Sequence, residues 1–240
     1  MDLGLSGKKA VVTGGSRGIG RAICELLAEE GCDVALCARG EAGVEEAVTA
    51  LVGKGVKAHG GIVDVADTTA LRGWVADAAG QLAGLDIFVA NVSALAQAMD
   101  DDPWRRSLDI DVMGTVAGVE AALPFLEQST AGSIVVLGTT GAVEIAGAPR
   151  PYASVKAALL PYVKALARNL AAKGVRANMV SPGNVYFKGG CGTWSRRTAP
   201  TCSRQCYRAI RWAAWARRKK SQTPSSFWPV REPALSPGPT

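Results

Sequence analysis

Tyr152 and Lys156 stand four residues apart, the spacing that sets two side chains on one face of a helix. A phenol beside an ammonium is a proton-transfer pair. A free phenol ionises near pH 10, too high for a base at neutral pH, whereas one unit charge at about 4 Å contributes on the order of 4 kcal/mol at an effective dielectric near 20, or about three pKa units before screening. The pair therefore predicts a tyrosine tuned by Lys156 to exchange protons near neutrality, although the same spacing in isolation also describes an ordinary surface helix. A second motif, Thr13-Gly14-Gly15-Ser16-Arg17-Gly18-Ile19-Gly20, follows an apolar run and precedes a helical pattern bearing Ile23, Leu26 and Leu27. Glycines at a strand-to-helix turn let backbone N–H groups approach a pyrophosphate at the helix N-terminus, so this turn is read as a dinucleotide site.

These residues need a scaffold, and the chain supplies one by alternation. Short β-branched runs at Ala10 to Thr13, Asp33 to Cys37, Val56 to Val63, Asp86 to Ala90, Ser133 to Leu137 and Val175 to Val180 predict strands. Between them, helical patterns run from Gly18 to Glu30, Glu41 to Lys54, Thr68 to Leu82, Pro103 to Glu127 and Tyr152 to Lys173. Strict alternation predicts an α/β fold, a doubly wound, Rossmann-like parallel sheet with helices on both faces. Such sheets bind ligands beyond the carboxyl ends of their strands, which places the chemistry in the loops after Thr13, Cys37, Ala90, Leu137 and Val180.

The glycine spacing, together with Tyr152-Ala-Ser-Val-Lys156, resembles the short-chain dehydrogenase/reductase family over about residues 6 to 188. Asp64-Val65 matches the family's adenine-pocket aspartate, Asn91 an asparagine after the fourth strand, and Pro182-Gly183 the turn after the sixth. The resemblance implies an NAD(P)-dependent oxidoreductase interconverting an alcohol and a ketone or aldehyde. Tyr152 is then the acid/base and Lys156 also a ligand of the nicotinamide ribose. It further implies that Gly14, Ser16, Arg17, Gly18, Ile19, Gly20, Asp64, Val65, Asn91, Pro182 and Gly183 line the cofactor site. Three positions depart from the pattern. The carbonyl-polarising serine is replaced by Thr139, with Thr140 as the alternative hydroxyl; a catalytic asparagine by Asp111, which when ionised accepts hydrogen bonds but cannot donate them; and the threonine after Pro182-Gly183 by Phe187. These departures leave a cofactor-binding protein without turnover as the alternative. At the end of the second strand Leu36-Cys37-Ala38-Arg39 lacks the acid that would bind a ribose diol. Arg39, helped by Arg17, favours NADP by pairing with a 2′-phosphate, unless it is simply a solvated loop cation.

Composition divides the 240 residues in two. The net charge of +6 resolves into −3 over residues 1–190 and +9 over 191–240, and the second segment holds four of six Trp and three of six Cys. Residues 1–190 are therefore read as the Rossmann-like domain and 191–240 as an anomalous basic tail without stable structure, with the family's last strand missing. A one-nucleotide loss of register near Gly190 accounts for the tail. In the displaced frame Trp212 to Ser221 permits Met-Gly-Arg-Met-Gly-Thr-Pro-Glu-Glu-Val, which resembles the family's G-R-x-G-x-P-E-E-V segment, and Ser225 to Val230 permits Val-Val-Phe-Leu-Ala-Ser. The competing reading is an arm for nucleic acid or anionic lipid, built on Arg217-Arg-Lys-Lys220 beside Trp212 and Trp215. His59 and the cysteines match no metal-ligand spacing, and Cys24, Cys32 and Cys37 are expected to be buried thiols. With no apolar run of about 18 residues and no signal-peptide pattern, the expected location is the cytoplasm; the expected partner is a small alcohol or carbonyl compound, with a homo-oligomer implied by the family.

Overall fold

A computed structural model describes residues 3–96, 98–144, 150–183 and 185. Six strands, β1 (Lys9–Thr13), β2 (Asp33–Ala38), β3 (Ala58–Ile62), β4 (Ile87–Ala90), β5 (Ser133–Leu137) and β6 (Arg176–Val180), form one sheet in the order β3-β2-β1-β4-β5-β6. All neighbouring pairs are parallel. The expected runs and observed strands coincide to within two residues, and the order reverses between β1 and β4, where a crevice opens at the strand ends. Phe187 and the whole tail lie outside the described residues, so the expected loss of the last strand is untested; among the described residues β6 is an edge strand.

Both sheet faces are covered, so successive residues of a strand enter different cores. Val11, Phe88 and Ile134 join Leu71 of α3 (Thr68–Gln81), Leu126 of α5 (Gly114–Leu126) and Leu159 of α7 (Leu159–Leu170). Ala10, Val12 and Val89 instead meet Ile23 of α1 (Gly18–Glu29) and Val44 of α2 (Glu41–Val52). Helix α5 sits close on β4 because Gly118 has no side chain; a Cβ there would lie 2.7 Å from Phe88 Cζ.

Two expected helices are interrupted. The segment 103–127 divides into α4 (Asp101–Ser107), a π-helical stretch (Leu108–Met113) and α5. In that stretch adjacent Ile110 and Asp111 are both buried, while Leu108 and Met113 remain exposed. The segment 152–173 divides into α6 (Pro151–Ala157), α7 and a 3₁₀ turn (Ala171–Lys173). Pro161 explains the break after Ala157, because it has no N–H to donate to that carbonyl.

Cys24, Cys32 and Cys37 are free and buried, as expected. Burial pushes Cys32 and Cys37 up to about 12, and raises Cys24 and Tyr162 as well. The folded chain therefore keeps protons that an unfolded chain loses from about pH 9. Stability should be fully present below that pH and fall continuously as pH rises toward 12, which urea midpoints across this range would reveal. Replacing the fully buried Phe88 by Ala should cost about 3–5 kcal/mol in the same assay.

Candidate active site

The glycine turn is latched to the end of β2, where the Cys37 carbonyl accepts from both Gly14 N (2.8 Å) and Gly15 N (3.2 Å). Gly14 and Gly18 have φ of +70° and +57°, values that disfavour a side chain. A Cβ on Gly20 would lie 2.1 Å from the Gly14 carbonyl oxygen, so the turn can fold against α1 only with glycine there. Helix α1 begins at Arg17, which is exposed, and has no side-chain cap and no acid in its first turn. Its first N–H groups are thus open to an anion, and a dinucleotide pyrophosphate fits this turn.

Several expected cofactor ligands have structural duties. Asn91 donates from Nδ2 to the carbonyls of Thr13 (3.3 Å) and Gly14 (3.1 Å), and its backbone N–H donates to Thr13 Oγ1 (3.1 Å). It pins the glycine turn to the end of β4 across the crevice. The Ile19 side chain packs against the α1–α2 core and that of Val65 is buried in the opposite one, so each could reach a cofactor only through its backbone. Ser16 is half-buried beside Gly43 of α2. Arg39 follows β2 with its side chain 58% exposed, 3.8 Å from Asp64 Oδ2, which juxtaposes the two residues expected to read the adenosine half. The Pro182 carbonyl accepts from Thr140 N (3.0 Å), tying the loops after β5 and β6 together, and exposed Gly183 follows it.

The four expected catalytic residues converge. Lys156 is 2% exposed, and its Nζ donates to the carbonyls of Leu137 (2.8 Å) and Val92 (3.4 Å) and lies 3.3 Å from Asp111 Oδ1. Asp111 is fully buried; its Oδ2 accepts from Ala94 N (3.2 Å) and its carbonyl from Thr115 Oγ1 (2.8 Å). The Thr139 side chain acts on the Tyr152 phenol, favouring its ionised form, and Thr139 Oγ1 accepts from Gly141 N (3.2 Å). Of the two threonines, it is thus Thr139 that meets the tyrosine.

The electrostatics differ from the expected tuning. Tyr152 is raised above the ordinary phenol value, first by burial and further by the Asp111 charge, with the Thr139 hydrogen bond opposing. Lys156 is lowered by burial, which Asp111 partly counters. An unopposed ammonium would lower the phenol; here burial raises it first, and Asp111, which sits 3.3 Å from that ammonium, adds to the rise.

A family model described as short chain dehydrogenase matches residues 8–189. The chain belongs to this family. Its members are oxidoreductases, and this one is an NAD(P)-dependent oxidoreductase by the same relationship. Isoepoxydon dehydrogenase patN of Penicillium expansum is 37% identical over 191 residues, covering 78% of this chain and 74% of the relative. A short chain dehydrogenase from Burkholderia cenocepacia J2315 in complex with NADP superposes with a TM-score of 0.72 at 34% identity, covering 78% and 80%. An NAD+-bound xylitol dehydrogenase does so with a TM-score of 0.72 at 25% identity, covering 85% of each chain. Within the family's fold, the close approach at Gly20 is the most exacting feature of the cofactor turn. Gly20→Val should therefore weaken nicotinamide dinucleotide binding at least about tenfold, read by quenching of tryptophan fluorescence, because the turn must open to admit the side chain.

Proposed function

We propose that this oxidoreductase interconverts a small alcohol and its ketone or aldehyde, with NADP(H) preferred over NAD(H). The carrying observation is the convergence of Tyr152, Thr139 and buried Lys156, whose ammonium is held by the carbonyls of Val92 after β4 and Leu137 at the end of β5, beside the open glycine turn. When bound, the dinucleotide exchanges a hydride with the substrate carbon. The turn from Gly14 to Gly20 receives the pyrophosphate, and the Thr139 hydroxyl orients the substrate oxygen. In reduction Tyr152 donates its phenolic proton to that oxygen; in oxidation its phenolate takes the proton back. Lys156 already has three acceptors, so a ribose contact requires exchanging one of them, the 3.4 Å bond to Val92 being the longest. The crevice binds a small molecule, and among the described residues no helix is long and apolar enough to cross a membrane. Free thiols at Cys24, Cys32 and Cys37 support the expected reducing, cytoplasmic setting.

The NADP preference rests on Arg39 and Arg17. Arg39 is exposed and held only by a long ion pair to Asp64, so it can turn to a 2′-phosphate at little cost, and no acid ends β2 to bind a ribose diol in its place. The NADP-bound Burkholderia neighbour supports this assignment, while the NAD+-bound neighbour marks the alternative. Arg39→Ala should weaken NADPH about tenfold and leave NADH nearly unchanged in fluorescence titrations; equal losses would remove the phosphate role. Tyr152→Phe should lower turnover at least about a hundredfold with little change in NADPH affinity, since it deletes the transferable proton and keeps the ring.

For residues 191–240 we keep the displaced-frame reading. The match to the family model ends at residue 189, next to the proposed loss of register. Restoring one nucleotide near the Gly190 codon should then yield a family-like terminus, a homo-oligomer and NADPH-dependent reductase activity together. An early stop in that frame, or salt-sensitive nucleic-acid binding that depends on the tail, would favour the basic arm instead.

A further inference from the structure

We propose that Asp111 is a positioning residue: it holds Lys156 in a buried ion pair and offsets the ammonium charge at Tyr152, so that the phenol stays protonated at neutral pH and the phenolate that alcohol oxidation needs forms only at higher pH. The proposal rests on the reading of Tyr152 as acid/base, and its geometry is independent of which substrate binds.

Asp111 has 0% and Lys156 2% side-chain exposure, so neither charge is solvated and each depends on the other. The π-helical stretch turns the carboxylate inward, and the Ala94 N–H anchors Oδ2 while Oδ1 faces the ammonium at 3.3 Å. Ser107 Oγ, one turn earlier, is buried without a hydrogen-bond partner among the described residues and does not share the load. Two opposite charges at this separation act on a third group as a dipole, whose influence fades faster with distance than that of an ammonium alone.

Among the described residues around Tyr152, Lys156 and Asp111 are the buried charges. On its own helix, Lys156 is the buried ion and Arg150 lies just ahead at the N-cap. Asp101, Asp102, Arg105 and Arg106 of α4, which packs on α6, and Asp109 of the π-helical stretch are all exposed. The 3₁₀ turn Thr140–Ala142 has no ionisable side chain, and α7 contributes Lys164 and Arg168 from its later turns. Asp111 is the buried charge from a neighbouring element. The raised phenol value agrees with this arrangement, since burial and Asp111 both push it upward.

In reduction, hydride arriving at the carbonyl carbon moves the C=O π pair onto oxygen. The Tyr152 O–H bond then breaks as its proton passes to that oxygen, and the phenolate regains a proton from water. In the opposite direction the phenolate must form first, which this arrangement disfavours at neutral pH.

The test is the pH profile of kcat/KM for oxidation of an alcohol with NADP+, in the full chain with its register restored after Gly190, comparing wild type with Asp111→Asn. Oxidation rises with pH as Tyr152 ionises, so removing the carboxylate charge should move the rising limb down by about one unit or more, which makes oxidation at pH 7 about tenfold faster than in the wild type. A limb that stays in place or moves upward overturns the proposal. A second measurement needs no turnover: phenolate absorbance of the wild type and of Asp111→Asn, each against its Tyr152→Phe counterpart, titrated between pH 7 and 11. A Tyr152 transition that moves down in Asp111→Asn supports the offset, and one that stays in place or moves up overturns it. Absence of any turnover with a panel of alcohols and carbonyls would instead count against the functional reading, and the absorbance titration would still decide the role of Asp111.

Discussion

An ammonium that is almost completely removed from water must be given acceptors, and this requirement shapes the centre of the molecule. Lys156 meets it by drawing on three separate segments: Leu137 at the end of β5, Val92 beyond β4, and Asp111 in the π-helical stretch before α5. Those segments converge where the parallel strands end. The loops that would receive a substrate are therefore held by the same side chain that stands one helical turn from the acid/base. A lysine in this place is both a structural tie and a charge, and the two roles compete for the same three protons.

The cofactor half obeys a steric constraint instead. Asn91 and Gly20 meet at the Gly14 carbonyl, one by hydrogen bonding and the other by having no side chain. Together they pull the turn after β1 against β4 and α1, leaving the first N–H groups of α1 outward and uncapped. Asn91, which the resemblance offers as a cofactor ligand, also braces the turn. Arg39 and Asp64 pair loosely over the neighbouring strand ends, and such an exposed pair can be reorganised by a phosphate without disturbing the core.

The departures from the family's pattern are not equivalent. Thr139 preserves the hydroxyl and meets Tyr152 as a serine would, at the expense of an added methyl group in the pocket. Asp111 changes the electrostatics, because replacing a neutral amide by a carboxylate introduces a buried negative charge whose compensation falls on Lys156. That charge also raises the Tyr152 phenol, after burial has done so first.

The order of strands and helices was legible in the chain because both faces of a parallel sheet are buried, which leaves nearly continuous apolar runs at β1, β2, β4 and β5 separated by amphipathic helices. The glycine turn and the Tyr152/Lys156 pair were legible for the same kind of reason: each depends on contacts within a few residues, where spacing maps directly onto geometry. Three features were decided by the tertiary structure. The π-helical interruption before Gly114 leaves no periodic signature distinct from that of one long helix, Asn91's grip on Thr13 and Gly14 spans more than seventy residues, and the Asp111–Lys156 pair joins positions forty-five apart. The ionisation of Tyr152 belongs with these. Its direction is set by burial and by a charge brought from another element, and neither quantity exists until the chain has folded.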